Sequence, residues 1–164
     1  MMGAGKSAVG RSLAAQSGRP FIDTDLLLQN RLGRPIPQLF QIYGEEAFRD
    51  HENAILRNLD ATESVISTGG GIVTHAENWK ELRRLGTTIY LRATEEALIS
   101  RLEQSKKRRP LLEVDDWQQR VKDLLAARRH LYETADVIVN LTDEDIDTSA
   151  AAILKRLGEG TDAD

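Results

Sequence analysis

Met1-Met2-Gly3-Ala4-Gly5-Lys6-Ser7 opens the chain, and the reading of this stretch decides the fold. Glycines ahead of a Lys-Ser pair let several backbone N–H groups converge on one concavity at the N-terminus of the following helix, where phosphate oxygens fit. In the pattern Gly-x4-Gly-Lys-Ser/Thr the lysine reaches the β- and γ-phosphates and the hydroxyl residue binds Mg2+. Only the closing part of that pattern is present, so a Gly/Ala-rich end that frays is the competing reading. The continuation favours the loop. Ala8-Val9-Gly10-Arg11-Ser12-Leu13-Ala14-Ala15 reads as a helix with Val9 and Leu13, extended to Gln16, at helical spacing, and Pro20-Phe21-Ile22 starts a short apolar run.

Outward from the loop, short apolar runs alternate with longer helical stretches. Phe21-Ile22, Val65-Ile66-Ser67, Thr88-Ile89-Tyr90-Leu91 and Val137-Ile138-Val139 read as buried strands. Trp117, Val121, Leu124, Leu125 and Leu131 fall on one face of a helix. A last helix starts at Asp145 or Asp147 and ends at Gly158, and residues 159–164 read as a frayed acidic tail. Strands separated by helices imply an α/β fold: a parallel sheet flanked by helices on both faces, binding ligands beyond the carboxyl ends of its strands. At 164 residues the chain is expected to form one domain, 1–158.

The residues with chemical potential cluster at those strand ends. Asp23-Thr24-Asp25 follows the first run; in an extended segment the two carboxylates share a face, one toward Mg2+ through water and the other toward a substrate hydroxyl. Either Asp would equally serve as the N-cap of the Leu26-Leu27-Leu28 helix. Arg49 and Glu52 are three apart and so neighbours on a helix. The pair reads either as a guanidinium poised for a carboxylate or as an ordinary surface ion pair. Thr68-Gly69-Gly70-Gly71 after the next strand suits a ligand pressed against main-chain N–H groups, with a plain flexible loop as the alternative. Lys106-Lys107-Arg108-Arg109-Pro110 reads as a mobile lid carrying an Arg onto a phosphoryl group, with a solvated loop or a nucleic-acid or targeting patch as the alternatives, and Arg128-Arg129-His130-Leu131-Tyr132 adds further guanidinium groups.

In their order and spacing, the loop at residues 3–7, Asp23-Thr24-Asp25, Gly44-Glu45 with Phe48-Arg49 and Glu52, the triple glycine, Arg109-Pro110-Leu111-Leu112 and Arg128-x-x-Leu131-Tyr132 resemble shikimate kinases. That family is a P-loop kinase family with a nucleoside-monophosphate-kinase-like fold, whose lid corresponds to about 105–115 and whose substrate-binding helical region corresponds to about 25–60. The resemblance implies transfer of the ATP γ-phosphate to the 3-hydroxyl of shikimate on the route to chorismate and the aromatic amino acids. It implies that Gly3, Ala4, Gly5, Lys6, Ser7 and Ala8 hold ATP phosphates, with Arg101 against the adenine and Arg109 swinging in with the lid. Ser7 and, through water, Asp23 are implied for Mg2+. Asp25 is implied to bind and orient or deprotonate the attacking hydroxyl. Arg49, Arg128 and the backbone of Gly69, Gly70 and Gly71 are implied for the shikimate carboxylate, with Glu52 steadying Arg49. Lys6, Asp25 and Arg109 form the implied catalytic set. Departures from the family pattern are the absent first P-loop glycine and its preceding strand, which is central in the family sheet, Ala8 in place of a hydroxyl residue, and His130 in place of proline. A start displaced by roughly ten residues, one strand plus a turn, is the corresponding expectation.

Bulk properties narrow the alternatives. The chain has no cysteine, three histidines and a net charge of −4. Disulfides and thiolate chemistry are excluded, and the charge gives no general attraction to nucleic acid or anionic membrane. No apolar stretch approaches a membrane span and nothing resembles a signal peptide, so a cytoplasmic monomer is expected. The rivals are a gluconate kinase of the same superfamily and a binding domain of this fold without turnover.

Overall fold

The computed structural model describes residues 1–105, 109–141 and 145–159. Four short strands, β1 (Phe21–Asp23), β2 (Val65–Ser67), β3 (Ile89–Arg92) and β4 (Val137–Asn140), alternate with helices α1 (Lys6–Ser17), α2 (Thr24–Leu32), α3 (Ile36–Arg57), α4 (Ala76–Leu85), α5 (Glu95–Glu103), α6 (Trp117–Tyr132) and α7 (Ile146–Glu159). Single 3-10 turns lie at Ile72–Thr74 and Pro110–Leu112. Each expected strand is present. Thr88 stands just outside β3, where its N–H and hydroxyl both donate to Asp136.

The strands form two parallel pairs. β1 runs beside β2 in the register Phe21 to Val65 and Asp23 to Ser67, and β3 beside β4 in the register Ile89 to Val137 and Arg92 to Asn140. Among the described residues β2 and β3 are not paired with each other. A cavity of about 780 Å3 lies between them, lined by Val65 and Ile66 on one side and Ile89, Tyr90 and Leu91 on the other. The parallel order follows from the helical crossovers, which return the chain to the same end of the sheet before each strand.

α1 buries Val9, Gly10, Leu13 and Ala14 and ends at Gly18, whose N–H reaches back to Ala14 and Ala15. It packs against α7, β1 and β2. Gln16, expected on the buried face, is exposed instead, and its amide bridges to Ser12 and the Asp147 carbonyl of α7. An amide at the border of a helix pair finds polar partners that the core lacks. The last helix also departs from expectation at Gly158, which lies inside α7. Asp145 caps its start by accepting from the Thr148 N–H and hydroxyl.

α3 is two helices in series. Gly44 breaks it at φ 75°, ψ 175°, a conformation closed to residues with a Cβ. The second half then turns Phe48, Arg49, Glu52, Ile55 and Leu56 inward. α2 and α3 share a small apolar cluster of Leu28, Leu39, Phe48 and Ile55, separate from the main core. This second cluster supports the wall that carries Arg49.

Candidate active site

The phosphate loop begins the site. Gly5 caps α1 in the left-handed conformation, φ 77°, and the N–H groups of Ala8 and Val9 bond its carbonyl. The helix N-terminus therefore opens toward the loop, with the electropositive end that anions favour. Gly3 shares that φ and also lies where a Cβ would press on Leu98 and Leu102 of α5, which fixes the loop against that helix. Ala4 is fully buried, and Lys6 lays its ammonium 2.7 Å from the Met1 carbonyl, folded back across the loop. Burial lowers the Lys6 pKa, the Arg109 charge adds to this, and Asp25 and Asp23 pull the other way. Arg109 and both acidic residues thus bear on one ammonium group.

Asp23 and Asp25 do not share a face of an extended segment as expected. α2 begins at Thr24, so Asp23 is its N-cap and Asp25 sits in its first turn. One carboxylate oxygen, Asp23 Oδ1, accepts from the N–H groups of Asp25 and Leu26. The other, Oδ2, accepts from the Ser7 hydroxyl at 2.9 Å, and Ser67 at the end of β2 stands 3.5 Å from the same hydroxyl. Asp23 is therefore the N-cap, and its second oxygen remains on the side of the Ser7 hydroxyl. Hard oxygens of a serine and a single carboxylate beside a phosphate loop are the donor set that suits Mg2+, which keeps much of its water and relies on substrate phosphates.

A second group of buried charges forms another wall of the site. Arg49 and Glu52 are 6 % and 5 % exposed, so theirs is a buried ion pair and not a surface one. Arg49 Nη1 donates to Glu52 at 2.6 Å and Nη2 to Glu45 at 3.0 Å. Phe40 and Phe48 present their rings to the guanidinium at 5.8 and 5.5 Å. Burial opposes the charge on Arg49, but Glu52 and Glu45 outweigh it and raise its pKa. Burial raises the Glu52 pKa, with Arg49 opposing and the Asp25 charge contributing. Arg128, on α6, is 7 % exposed. Two buried nitrogens, Arg49 Nε and Arg128 Nη1, have no hydrogen-bond partner among the described residues. Buried donors of this kind are rare, and water or a ligand completes their bonding.

The triple glycine joins these parts by close approach, since none of its residues has a positive φ. A Cβ on Gly69 would stand 2.7 Å from Glu52 Oε1 and 2.8 Å from Asp25 Oδ1, and one on Gly71 would overlap the Arg49 guanidinium. Gly70 backs onto Met1 and Met2. The bare backbone is thus threaded among Asp25, Glu52, Arg49 and the phosphate loop, and the acceptor and phosphate regions meet there.

Arg109 is held near the loop, with Nη1 and Nη2 each 3.2 Å from the Ser105 hydroxyl, and burial lowers its pKa. Lys106, Lys107 and Arg108 of the expected lid lie outside the described residues. Arg101 occupies the last turn of α5, one residue before Leu102, which touches the phosphate loop at Gly3. His130 is exposed on α6 and takes no part. Sequence reasoning missed Asn78, which is fully buried and donates to the Ile72 carbonyl while accepting from Asn53. Its spacing from Leu82 and Leu85 marks the inward face of α4, and that was the available signal.

Comparison with known proteins agrees with this arrangement. A family profile described as shikimate kinase matches residues 2–158. The chain is 37 % identical over 163 residues to a shikimate kinase of Thermodesulfovibrio yellowstonii, covering 97 % of this chain and 94 % of that protein. It is 42 % identical over 158 residues to one from a Synechococcus strain, covering 96 % of this chain and 80 % of that protein. Among solved structures, shikimate kinase from Acinetobacter baumannii in complex with shikimate superposes with a TM-score of 0.91 at 36 % identity, covering 97 % of this chain and 89 % of that one.

Proposed function

The chain belongs to the shikimate kinase family, and from that premise we propose that its site transfers the γ-phosphate of ATP to the 3-hydroxyl of shikimate, giving shikimate 3-phosphate and ADP. The observation that carries this reading is the pair of buried guanidinium groups, Arg49 and Arg128, each with an unpartnered nitrogen, beside a phosphate loop. They suit a small acceptor that bears a carboxylate.

The division of labour follows from position. The N–H groups of the loop and Lys6 take the β- and γ-phosphate oxygens. Ser7 and Asp23 would hold Mg2+, which would offset the charge of the phosphates. Arg49, Arg128 and the glycine backbone fix the carboxylate of the acceptor, and Glu52 keeps Arg49 in place. Asp25 receives the proton of the attacking hydroxyl. The new bond joins that oxygen to the γ-phosphorus as the bond from phosphorus to the β–γ bridging oxygen breaks, and ADP leaves with those electrons. Lys6 and Arg109 face the charge that spreads over the transferring group, Arg109 moving with the lid at about 105–115, and Arg101 lies along the adenine. Catalysis here consists of positioning and charge stabilisation.

Residues 1–158 act as one catalytic domain, with about 25–60 forming the acceptor-binding region. A monomer is the state we propose. No described helix is long and apolar enough to cross a membrane, and the cytoplasm is the compartment we propose. ADP release with Mg-ATP and shikimate, gluconate or no acceptor tests the function. Shikimate-dependent release is expected, and equal release with gluconate, or none with shikimate, would overturn it.

A further inference from the structure

We propose that Tyr132 is a positioning residue for the acceptor subsite, acting through the Gly70–Gly71 peptide; the proposal rests on the function given above. Tyr132 closes α6 and is almost fully buried. Its hydroxyl donates to the Gly70 carbonyl at 2.6 Å, across 62 residues of chain, and the Met1 sulfur lies 3.6 Å from the same oxygen. The ring stacks on Tyr90 of β3, with centroids 5.1 Å apart and planes 15° from parallel. The sheet therefore fixes the ring, and the ring fixes the hydroxyl. Burial raises the Tyr132 pKa, against the pull of the nearby Arg128 charge, and the hydroxyl remains a donor at neutral pH.

The consequence comes from peptide geometry. The carbonyl of Gly70 and the N–H of Gly71 share one rigid plane and point in opposite directions. A hydroxyl that holds the carbonyl also sets the direction of that N–H and the place of the Gly71 Cα, against which the Arg49 guanidinium is packed. Glycines offer no side chain to hold the loop, so its position depends on bonds to its carbonyls. On the far side Asn78 holds the Ile72 carbonyl at 2.8 Å, and Asn53, next to Glu52 on α3, holds Asn78 at 2.7 Å. The loop is suspended between α6, through Tyr132, and α4, through Asn78 and, one carbonyl further on, Trp79, which donates to Val73 at 3.2 Å. Tyr132 also lies one helical turn beyond Arg128 on the same face of α6. One helix thereby presents a charge to the acceptor and sets the backbone that faces it.

The test is Tyr132→Phe, which keeps the ring, the stacking and the core volume and removes the hydroxyl, with its bond to Gly70 and its contacts with the Met1 sulfur and Arg128. Exchange at Gly71 reads the bond to Gly70 apart from the contact with Arg128. The acceptor KM should rise about three- to ten-fold, the range for one lost neutral hydrogen bond, with kcat and the ATP KM within two-fold of the parent. In the protein without ligands, amide exchange at Gly71 should accelerate while exchange along β3 and β4 stays as in the parent. This second readout needs no acceptor and stands apart from the identity of the substrate: if the parent fails to phosphorylate shikimate, the function falls and the exchange measurement still decides the role of Tyr132. An acceptor KM within two-fold of the parent, an equal rise in both KM values, or unchanged exchange at Gly71 would each overturn the proposal.

Discussion

Gly71→Ala isolates what the close approach of loop and guanidinium does for the site. Gly71 has φ −89° and ψ −8°, a conformation open to alanine, so backbone strain does not enter. By itself the change should stabilise the chain by about 0.4–1 kcal/mol through the unfolded state. The new methyl, however, would overlap the Arg49 guanidinium, which must retreat by about 1 Å to reach an ordinary contact. Arg49 is not free to move, because it is bound to Glu52 at 2.6 Å and to Glu45 at 3.0 Å. Complete rupture of a buried pair costs about 3–5 kcal/mol, and a partial displacement offset by the entropy gain leaves about 1–3 kcal/mol of net destabilisation. A misplacement of about 1 Å in a binding group costs about 100-fold in kcat/KM. Initial rates with shikimate varied at saturating Mg-ATP read the second effect, and urea denaturation reads the first. In an Arg49→Ala background the methyl meets no guanidinium, so Gly71→Ala should add less than about 0.5 kcal/mol to the loss in kcat/KM and should raise stability by about 0.4–1 kcal/mol, its unfolded-state effect. Parent-like kcat/KM in the single variant, or losses that multiply in the double variant, would refute the argument.

Asp25→Asn should lower kcat by about 1000-fold, within the range for loss of a general base, with ATP affinity within two-fold of the parent; near-normal turnover would remove Asp25 from the proton transfer. Arg49→Lys keeps a charge but cannot reach Glu45, Glu52 and a carboxylate together, so the acceptor KM should rise about 10- to 100-fold at constant ATP KM. An unchanged acceptor KM would contradict that role. The depressed Lys6 pKa has two opposite consequences. Above its folded-state pKa the free enzyme loses the charge that meets ATP, so kcat/KM for ATP should fall at a pH below the ordinary lysine value of 10.5. Over the window from that depressed pKa to 10.5 the unfolded chain holds the proton that the folded one has released, so stability should rise as activity falls. A pH-rate profile and urea midpoints over that window check both signs, and a Lys6→Met variant should lose the added stability; the same rise in Lys6→Met would assign it to another group.

The strands were legible because short apolar runs between helical patterns have few other readings. The acceptor wall was legible only in part. Three-residue spacing places Arg49 beside Glu52 wherever the helix lies, but burial comes from Phe40 across the Gly44 break, a tertiary contact with no local signature. For Asp23 the sequence posed a choice between cap and metal site, yet a carboxylate has two oxygens: one caps α2 and the other accepts from Ser7, so the cap does not use up the side chain. Tyr132 and Asn78 were missed as tethers because a side chain that bonds a distant carbonyl leaves no periodic trace.

The buried nitrogens on Arg49 and Arg128 favour a ligand that can accept from them. Hydrophobic residues in their place would leave the acceptor carboxylate without partners. Arg49, already buried and fixed by Glu52 and Glu45, loses little further freedom when a carboxylate arrives. The burial that fixes these donors is therefore also what makes the site selective for an acid. An acceptor lacking the carboxylate would leave both nitrogens orphaned inside the complex, and this rejects it more strongly than any missing contact elsewhere on its ring could.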